Sequence, residues 1–259
     1  MKKWQIVNIA LFFLFFVSTA SLVYALKTLN YTSPFSKPWH LSPSISEDSL
    51  SQKYLDEYVT IDKKSLLSHF YDSTRNNVFI LVDAWGVPTD ENLMEKDFSL
   101  FATIPHICAI HKRLANRTKH AERVEFRHKF HNSIYLFGGD SLEYNRNGYI
   151  KDLGFGKTLF CQHCNDSMML FKIDSLHTND SLHFIAWTTQ SSRSGYRDSL
   201  SNTLKMISTF ARQHPNINIV VQGTHRPILC NSKTRNTYKS HWVPVVILNK
   251  SKKDADDTL

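Results

Sequence analysis

Val78-Phe-Ile-Leu-Val-Asp83-Ala-Trp-Gly86-Val-Pro88 decides the fold. Five apolar residues, three of them β-branched, run straight into an acid, and a Gly and a Pro follow at once. A continuous apolar run of this length predicts a strand buried on both faces, the signature of a central strand in a parallel sheet. In open α/β sheets ligands gather where the carboxyl ends of strands stop, which puts Asp83 where a metal or substrate would sit. A strand-end Asp that only caps the next helix is the plainer alternative.

Outward from that run, the pattern alternates. Residues 90–100 have helix-forming composition, and 133–137 form a short strand candidate ending in Gly138-Gly139-Asp140. Residues 166–176 place Met169, Leu170, Ile173 and Leu176 on one helical face. A strand over 182–187 leads into Thr188-Thr189-Gln190-Ser191-Ser192-Arg193. An amphipathic helix over 198–213 carries Leu200, Leu204, Ile207 and Phe210 and stops at Pro215. Strands over 217–221 and 243–248 complete the set, the first ending in Gly223-Thr224-His225-Arg226-Pro227. Strands alternating with helices predict a three-layer α/β domain, a mostly parallel sheet with helices on both faces. Asp83, Asp140, Arg193 and His225 all fall at strand ends on one rim, where they can converge.

The N-terminus has a different character. After Met1-Lys2-Lys3, residues 4–26 carry no charge and consist mainly of Ile, Leu, Phe, Val and Ala. A helix of about 20 such residues spans a bilayer core, and the preceding lysines predict the N-terminus inside. Val23-Tyr24-Ala25 offers a signal-cleavage alternative. Both readings export the remainder to the exterior or periplasmic side. The expected organisation is an anchor at 1–27, a linker and helical segment at 28–75, the α/β domain at 76–250 and a charged tail at 251–259. Ser33-Pro34, Lys37-Pro38 and Ser42-Pro43 break the linker, and a polar helix is expected over 47–69. The net charge of +8 comes from scattered Lys and Arg with no aromatic-basic motif, so nucleic acid is not an expected partner. An anionic ester, glycan or lipid headgroup suits a basic surface.

Taken together, the motifs resemble the alkaline phosphatase superfamily, in its sulfatase-like branch with phosphoethanolamine transferases and lipoteichoic acid synthases. Asp83-Ala84-Trp85-Gly86 echoes the acid-small-Trp-Gly end of that branch's first strand. Thr118-Lys-His-Ala-Glu122-Arg123 resembles its nucleophile helix. Phe137-Gly138-Gly139 through Asn145-Arg146, and Tyr149 to Gly154-Phe155, resemble its middle region. Phe184 through Gly195-Tyr196, Gly223 to Pro227, and Val243-Pro244-Val245-Val246 follow in the branch's order, over residues 76–249 in all.

The resemblance implies a hydrolase or transferase of phosphate or sulfate esters, with Thr118 as nucleophile. It implies a divalent metal, Zn or Mn, held by Asp83 and His225 with Thr224 beside them, and Arg146, Arg193 and Arg226 contacting the anionic group. Such chemistry uses a hydroxyl activated by a cation that also neutralises charge on the transferring group. The chain departs from the pattern in three places. Thr224 stands where the branch has Asp, Arg193 stands where it often has His, and Leu114-Ala115-Asn116-Arg117 lacks the glycines of the nucleophile turn. These departures keep a second reading open, an inactive pseudoenzyme of the same fold that needs no metal and binds an anionic glycan or lipid headgroup. Cys161 and Cys164 are disulfide candidates in an exported chain, and a thiol-disulfide or interaction module around them is the third reading.

Overall fold

The computed structural model describes residues 3–28, 50–61, 66, 71, 75–113, 116–126, 130–138, 150–161, 164–178, 183–190, 196–227 and 236–250. Helix α1, Lys3–Thr28, is a unit by itself and exposes Phe12, Phe13, Leu14, Phe15 and Phe16. Its continuous run of described side chains covers residues 11–24. Among the described residues no helix is long and apolar enough to cross a membrane.

The other unit is built on an eight-stranded sheet. Its strands are β1 Val59–Ile61, β2 Asn77–Val82, β3 His106–Lys112, β4 Phe130–Gly138, β5 Phe155–Cys161, β6 Phe184–Thr188, β7 Asn218–Gly223 and β8 Trp242–Leu248. Their order is β1-β3-β8-β7-β2-β6-β4-β5. All neighbours pair parallel except β8, which runs antiparallel to both β3 and β7. The sheet is therefore mostly parallel, with one reversed strand inside it.

Strand β2 is central and buried throughout, as its unbroken apolar run requires. Its alternate residues serve two cores. Val78, Ile80 and Val82 face α2 (Gln52–Glu57), α3 (Glu91–Ser99), α5 (Asp166–His177) and α6 (Tyr196–Gln213), which contribute Tyr54, Met94, Ile173 and Leu204 among others. Phe79 and Leu81 face the opposite core, with Ala121 and Phe126 of α4 (Thr118–Phe126) and Leu153 of a 3-10 turn. Helices thus cover both faces of the sheet. Truncating a fully buried residue such as Leu81 to Ala would cost about 2–5 kcal/mol.

Three strands lie where the sequence pattern announced none. Among the described residues of the span 47–69, helix occupies Gln52–Glu57, and the β-branched Val59-Thr60-Ile61, expected as helix, joins the sheet beside β3. The sheet therefore begins before residue 76. Strand β3 and the edge strand β5 are the others.

Candidate active site

Parallel strand ends build the site. Beyond β2, the chain keeps its neighbours in register: Thr189 N–H donates to the Leu81 carbonyl at 2.8 Å, and Thr224 N–H to the Val82 carbonyl at 3.0 Å. Asp83 N–H then donates to Thr189 Oγ1 at 3.0 Å. The acid is fixed from both sides by its neighbouring strands.

Ala84 next turns the chain sharply, with φ at 58°, a left-handed conformation that costs a non-glycine residue about 1–2 kcal/mol. Two hydrogen bonds offset that strain. Ala84 N–H donates to Thr224 Oγ1 at 2.9 Å, and the Tyr196 hydroxyl donates to the Ala84 carbonyl at 2.7 Å. Burial raises the Tyr196 pKa well above its usual value, so the phenol stays a donor. The turns after β2 and β7 pack backbone against backbone. A Cβ on Gly223 would lie 1.8 Å from the Trp85 carbonyl oxygen, and one on Gly86 would lie 2.5 Å from Arg226 Cα. Glycine is required at both positions by close approach.

Three distant segments meet in this frame. Thr118, the first residue of α4, donates from Oγ1 to Asp83 Oδ1 at 2.6 Å and lies 3.1 Å from His225 Nε2. His225 Nε2 is 3.5 Å from Asp83 Oδ1. Thr224 Oγ1 donates to the same Asp83 oxygen at 3.1 Å. His225 Nδ1 is 2.6 Å from the Arg226 carbonyl, which holds the proton on Nδ1 and aims Nε2 at Thr118. Burial would lower the His225 pKa, but hydrogen bonding and charge attraction from Asp83 outweigh it and carry the pKa above the usual histidine value.

The donor set fits a single divalent cation of the zinc or manganese kind. The Asp83 carboxylate oxygen, the His225 Nε2 and the Thr118 hydroxyl lie within 3.5 Å of one another, near the spacing that ligands at about 2.0–2.2 Å from a shared ion adopt, and the Thr224 hydroxyl is 3.1 Å from the same Asp83 oxygen. Thr224 makes the set less anionic than an Asp there would.

Four groups that the sequence reading did not assign to the site support it. Arg113 is buried and donates to Glu125 Oε1 at 2.9 Å and to the Gly223 carbonyl at 3.3 Å, immediately before Thr224. Burial lowers the Arg113 pKa while Glu125 raises it. Asp166, at the start of α5, accepts from Gln190 N–H at 3.0 Å and from the Thr203 hydroxyl at 2.9 Å. Burial raises its pKa, those two bonds oppose the rise, and the Asp83 charge adds to it. Thr189 and Tyr196 complete the group, and Thr189 has the one signal readable beforehand: it follows β6 as Asp83 follows β2. A cavity of about 10 Å³ between Asp83, Thr189, Tyr196 and Thr203 has room for no more than one water.

The remaining assignments separate. Glu122, four residues after Thr118, is fully buried and accepts from the Tyr135 hydroxyl at 2.8 Å, inside the second core. Arg226 contributes its backbone to the turn. Arg146, Arg193 and Asp140 lie outside the described residues. Cys161 and Cys164 form a disulfide, Cα to Cα 5.5 Å, that ties the end of edge strand β5 to the start of α5.

No protein-family model matches the chain, and no curated protein matches it. Solved structures do. The chain is similar to the lipoteichoic acid synthase LtaP from Listeria monocytogenes at 8% identity and TM-score 0.48, covering 70% of this chain and 67% of that one. It is similar to a protein of the alkaline phosphatase superfamily from Vibrio parahaemolyticus at 12% identity and TM-score 0.49, covering 78% and 71%. It is similar to the C-terminal periplasmic domain of EcEptC from Escherichia coli, solved in complex with Zn, at 11% identity and TM-score 0.47, covering 71% and 74%. These are likenesses of fold, and they assign no activity to this chain.

Proposed function

We propose that this chain is a sulfatase-like hydrolase or transferase of phosphate or sulfate esters, with Thr118 as its nucleophile. The observation that carries the reading is the Thr118 hydroxyl, held by hydrogen bonds between a carboxylate and an imidazole from two other parts of the chain. For the attack the Thr118 proton turns from Asp83 Oδ1 to His225 Nε2, 3.1 Å from Thr118 Oγ1, and the imidazole with its own proton on Nδ1 takes it as Oγ1 attacks phosphorus or sulfur. The bond to the ester oxygen then breaks, leaving the group on Thr118 for transfer to water or an acceptor alcohol. Asp83 orients the hydroxyl and balances the imidazolium. The α4 N-terminus, beginning at Thr118, favours the anionic group being transferred. A divalent cation, if held by Asp83, His225 Nε2 and Thr224, would occupy the lone pair that otherwise takes the proton, and would activate Thr118 instead by lowering the pKa of its hydroxyl while neutralising charge on the transferring group. In this reading residues 4–26 anchor the protein in a membrane, with the α/β unit outside and facing anionic glycans or lipid headgroups.

The second reading, a pseudoenzyme that binds such a headgroup without turnover, is favoured by Thr224, whose neutral hydroxyl bonds to Asp83 where an anion would help to hold a cation. One experiment separates the two. The full chain, purified in detergent, is assayed on aryl phosphates and aryl sulfates and analysed for bound metal. Turnover that is lost in Thr118→Ala and kept in Thr118→Ser supports the enzyme. Absence of turnover across metals and ester classes overturns it and leaves the binding protein.

A further inference from the structure

Strand β2 runs from Asn77 to Val82 and β7 from Asn218 to Gly223, so the rim opposite Asp83 lies about 20 Å away at about 3.3 Å per residue. Helices α5 and α6 end at that rim. Asp174 and His177 are three residues apart on α5 and so share a face, and His214 directly follows α6. The two imidazoles point at the same carboxylate oxygen. His177 Nε2 lies 3.2 Å from Asp174 Oδ1 and His214 Nε2 lies 2.9 Å from it. The two ring centroids are 4.4 Å apart. Among the described residues this is the one group of three His, Cys, Asp or Glu whose ligand atoms all lie within 4.8 Å of one another.

We propose that Asp174, His177 and His214 form a binding site for a divalent transition ion, zinc first, which clips α5 to α6. Two imidazole nitrogens and one carboxylate oxygen with an open position form a zinc donor set, whereas magnesium and calcium prefer oxygen alone. Ligands at about 2.0–2.2 Å from one ion stand about 3.4 Å apart, so the two separations from Asp174 need to widen by only a few tenths of an ångström, and all the ligand atoms already lie within 4.8 Å of one another. The backbone beneath the ligands is already fixed. Asn76 Nδ2 donates to the His177 carbonyl at 2.9 Å, and Asn249 Nδ2 donates to the His214 and Ile217 carbonyls, each at 2.9 Å. Phe210 packs against both rings.

As an ordinary exposed ion pair the arrangement would have a poor reason to exist. Such pairs contribute at most about 1 kcal/mol, and here two imidazoles compete for one oxygen at close range. Neutral imidazoles around a cation relieve that competition. This site is independent of the ester chemistry at Thr118.

The test uses the full chain in detergent, free of any polyhistidine tag, stripped with chelator and titrated with Zn²⁺ by calorimetry and with Co²⁺ by visible absorption. Wild type should bind, and one equivalent should persist in His225→Ala. Asp174→Asn and His214→Ala should each weaken that equivalent by at least about 100-fold, beyond the 10–100-fold of an outer-shell change. They should also abolish the zinc-dependent rise in Tm. Asp174→Asn is a surface isostere that keeps the fold testable if His214→Ala does not fold. Zinc binding unaffected by both variants, or lost in His225→Ala alone, or absent from wild type, overturns the proposal.

Discussion

Replacing Thr224 by Asp tests the Asp83 site with a magnitude that the structure sets. Thr224 is fully buried, and its Oγ1 lies 3.1 Å from Asp83 Oδ1. A carboxylate there would repel Asp83 by about 5 kcal/mol at that distance and an effective dielectric constant near 20. The pair escapes part of this by keeping one proton. Holding a carboxyl of ordinary pKa near 3.9 protonated at pH 7 costs about 4 kcal/mol, which caps the penalty. In chelator, Thr224→Asp should therefore be about 4 kcal/mol less stable than the parent at pH 7. The sign with pH is fixed: the folded variant binds a proton that the unfolded chain releases, so the deficit shrinks by about 1.4 kcal/mol per pH unit as pH falls from 7 toward 4. A divalent cation should remove the deficit and stabilise the variant more than the parent. The measurement is urea unfolding of the full chain, in an Asp174→Asn background, at several pH values with and without Zn²⁺ or Mn²⁺. A variant as stable as its parent in chelator, or one that no cation rescues, would refute the placement of residue 224 in the donor set.

Other outcomes follow from the same geometry. Gly223→Ala drives a Cβ into the Trp85 carbonyl and should cost more than about 3 kcal/mol or prevent folding, read from thermal melts. Arg113→Met leaves Glu125 charged and fully buried, for a loss of about 3–5 kcal/mol, and adding Glu125→Leu should recover much of it in the same unfolding assay. Asp166 titrates above the ordinary aspartate value in the folded protein, so its contribution to stability declines as pH rises through that raised pKa. Asp166→Asn should flatten this part of the stability profile, measured by urea midpoints from pH 4 upward.

How far these elements could be read beforehand depends on whether burial left a period in the sequence. Strand β2 was legible because both faces are buried, which demands an unbroken apolar run, and α6 was legible because only one face is. Strand β5 was not. As an edge strand half open to solvent, Phe155-Gly-Lys-Thr-Leu-Phe-Cys161 carries a Gly and a Lys that read as loop. Strand β3 mixes His106, Cys108 and His111 among its apolar residues, and its identity comes from its pairing with β8. In the site, Asp83 and His225 announced themselves by ending strands. Thr118 sits at a helix start and was singled out only through the family resemblance. The Arg113–Glu125 pair and the meeting of His214 with Asp174 depend on tertiary packing and leave no local mark.

The hydrogen bonds around Asp83 give a physical reason for a threonine at position 224. Asp83 has to accept from its neighbours, and the left-handed turn at Ala84 has to be held shut. An aspartate at 224 would accept from Ala84 N–H but could donate to Asp83 only by keeping a proton, at a cost of about 4 kcal/mol at pH 7, until a cation took that proton's place. The Thr224 hydroxyl does both tasks at once, accepting from Ala84 and donating to Asp83. Together with the Thr118 donor, it leaves the carboxylate bonded and the turn fixed with no cation required. A threonine at 224 thus gives a site that is assembled before any metal arrives, with less cation affinity than an acid there would give. Metal dependence of folding is the quantity in which such a chain should differ most from one carrying the acid.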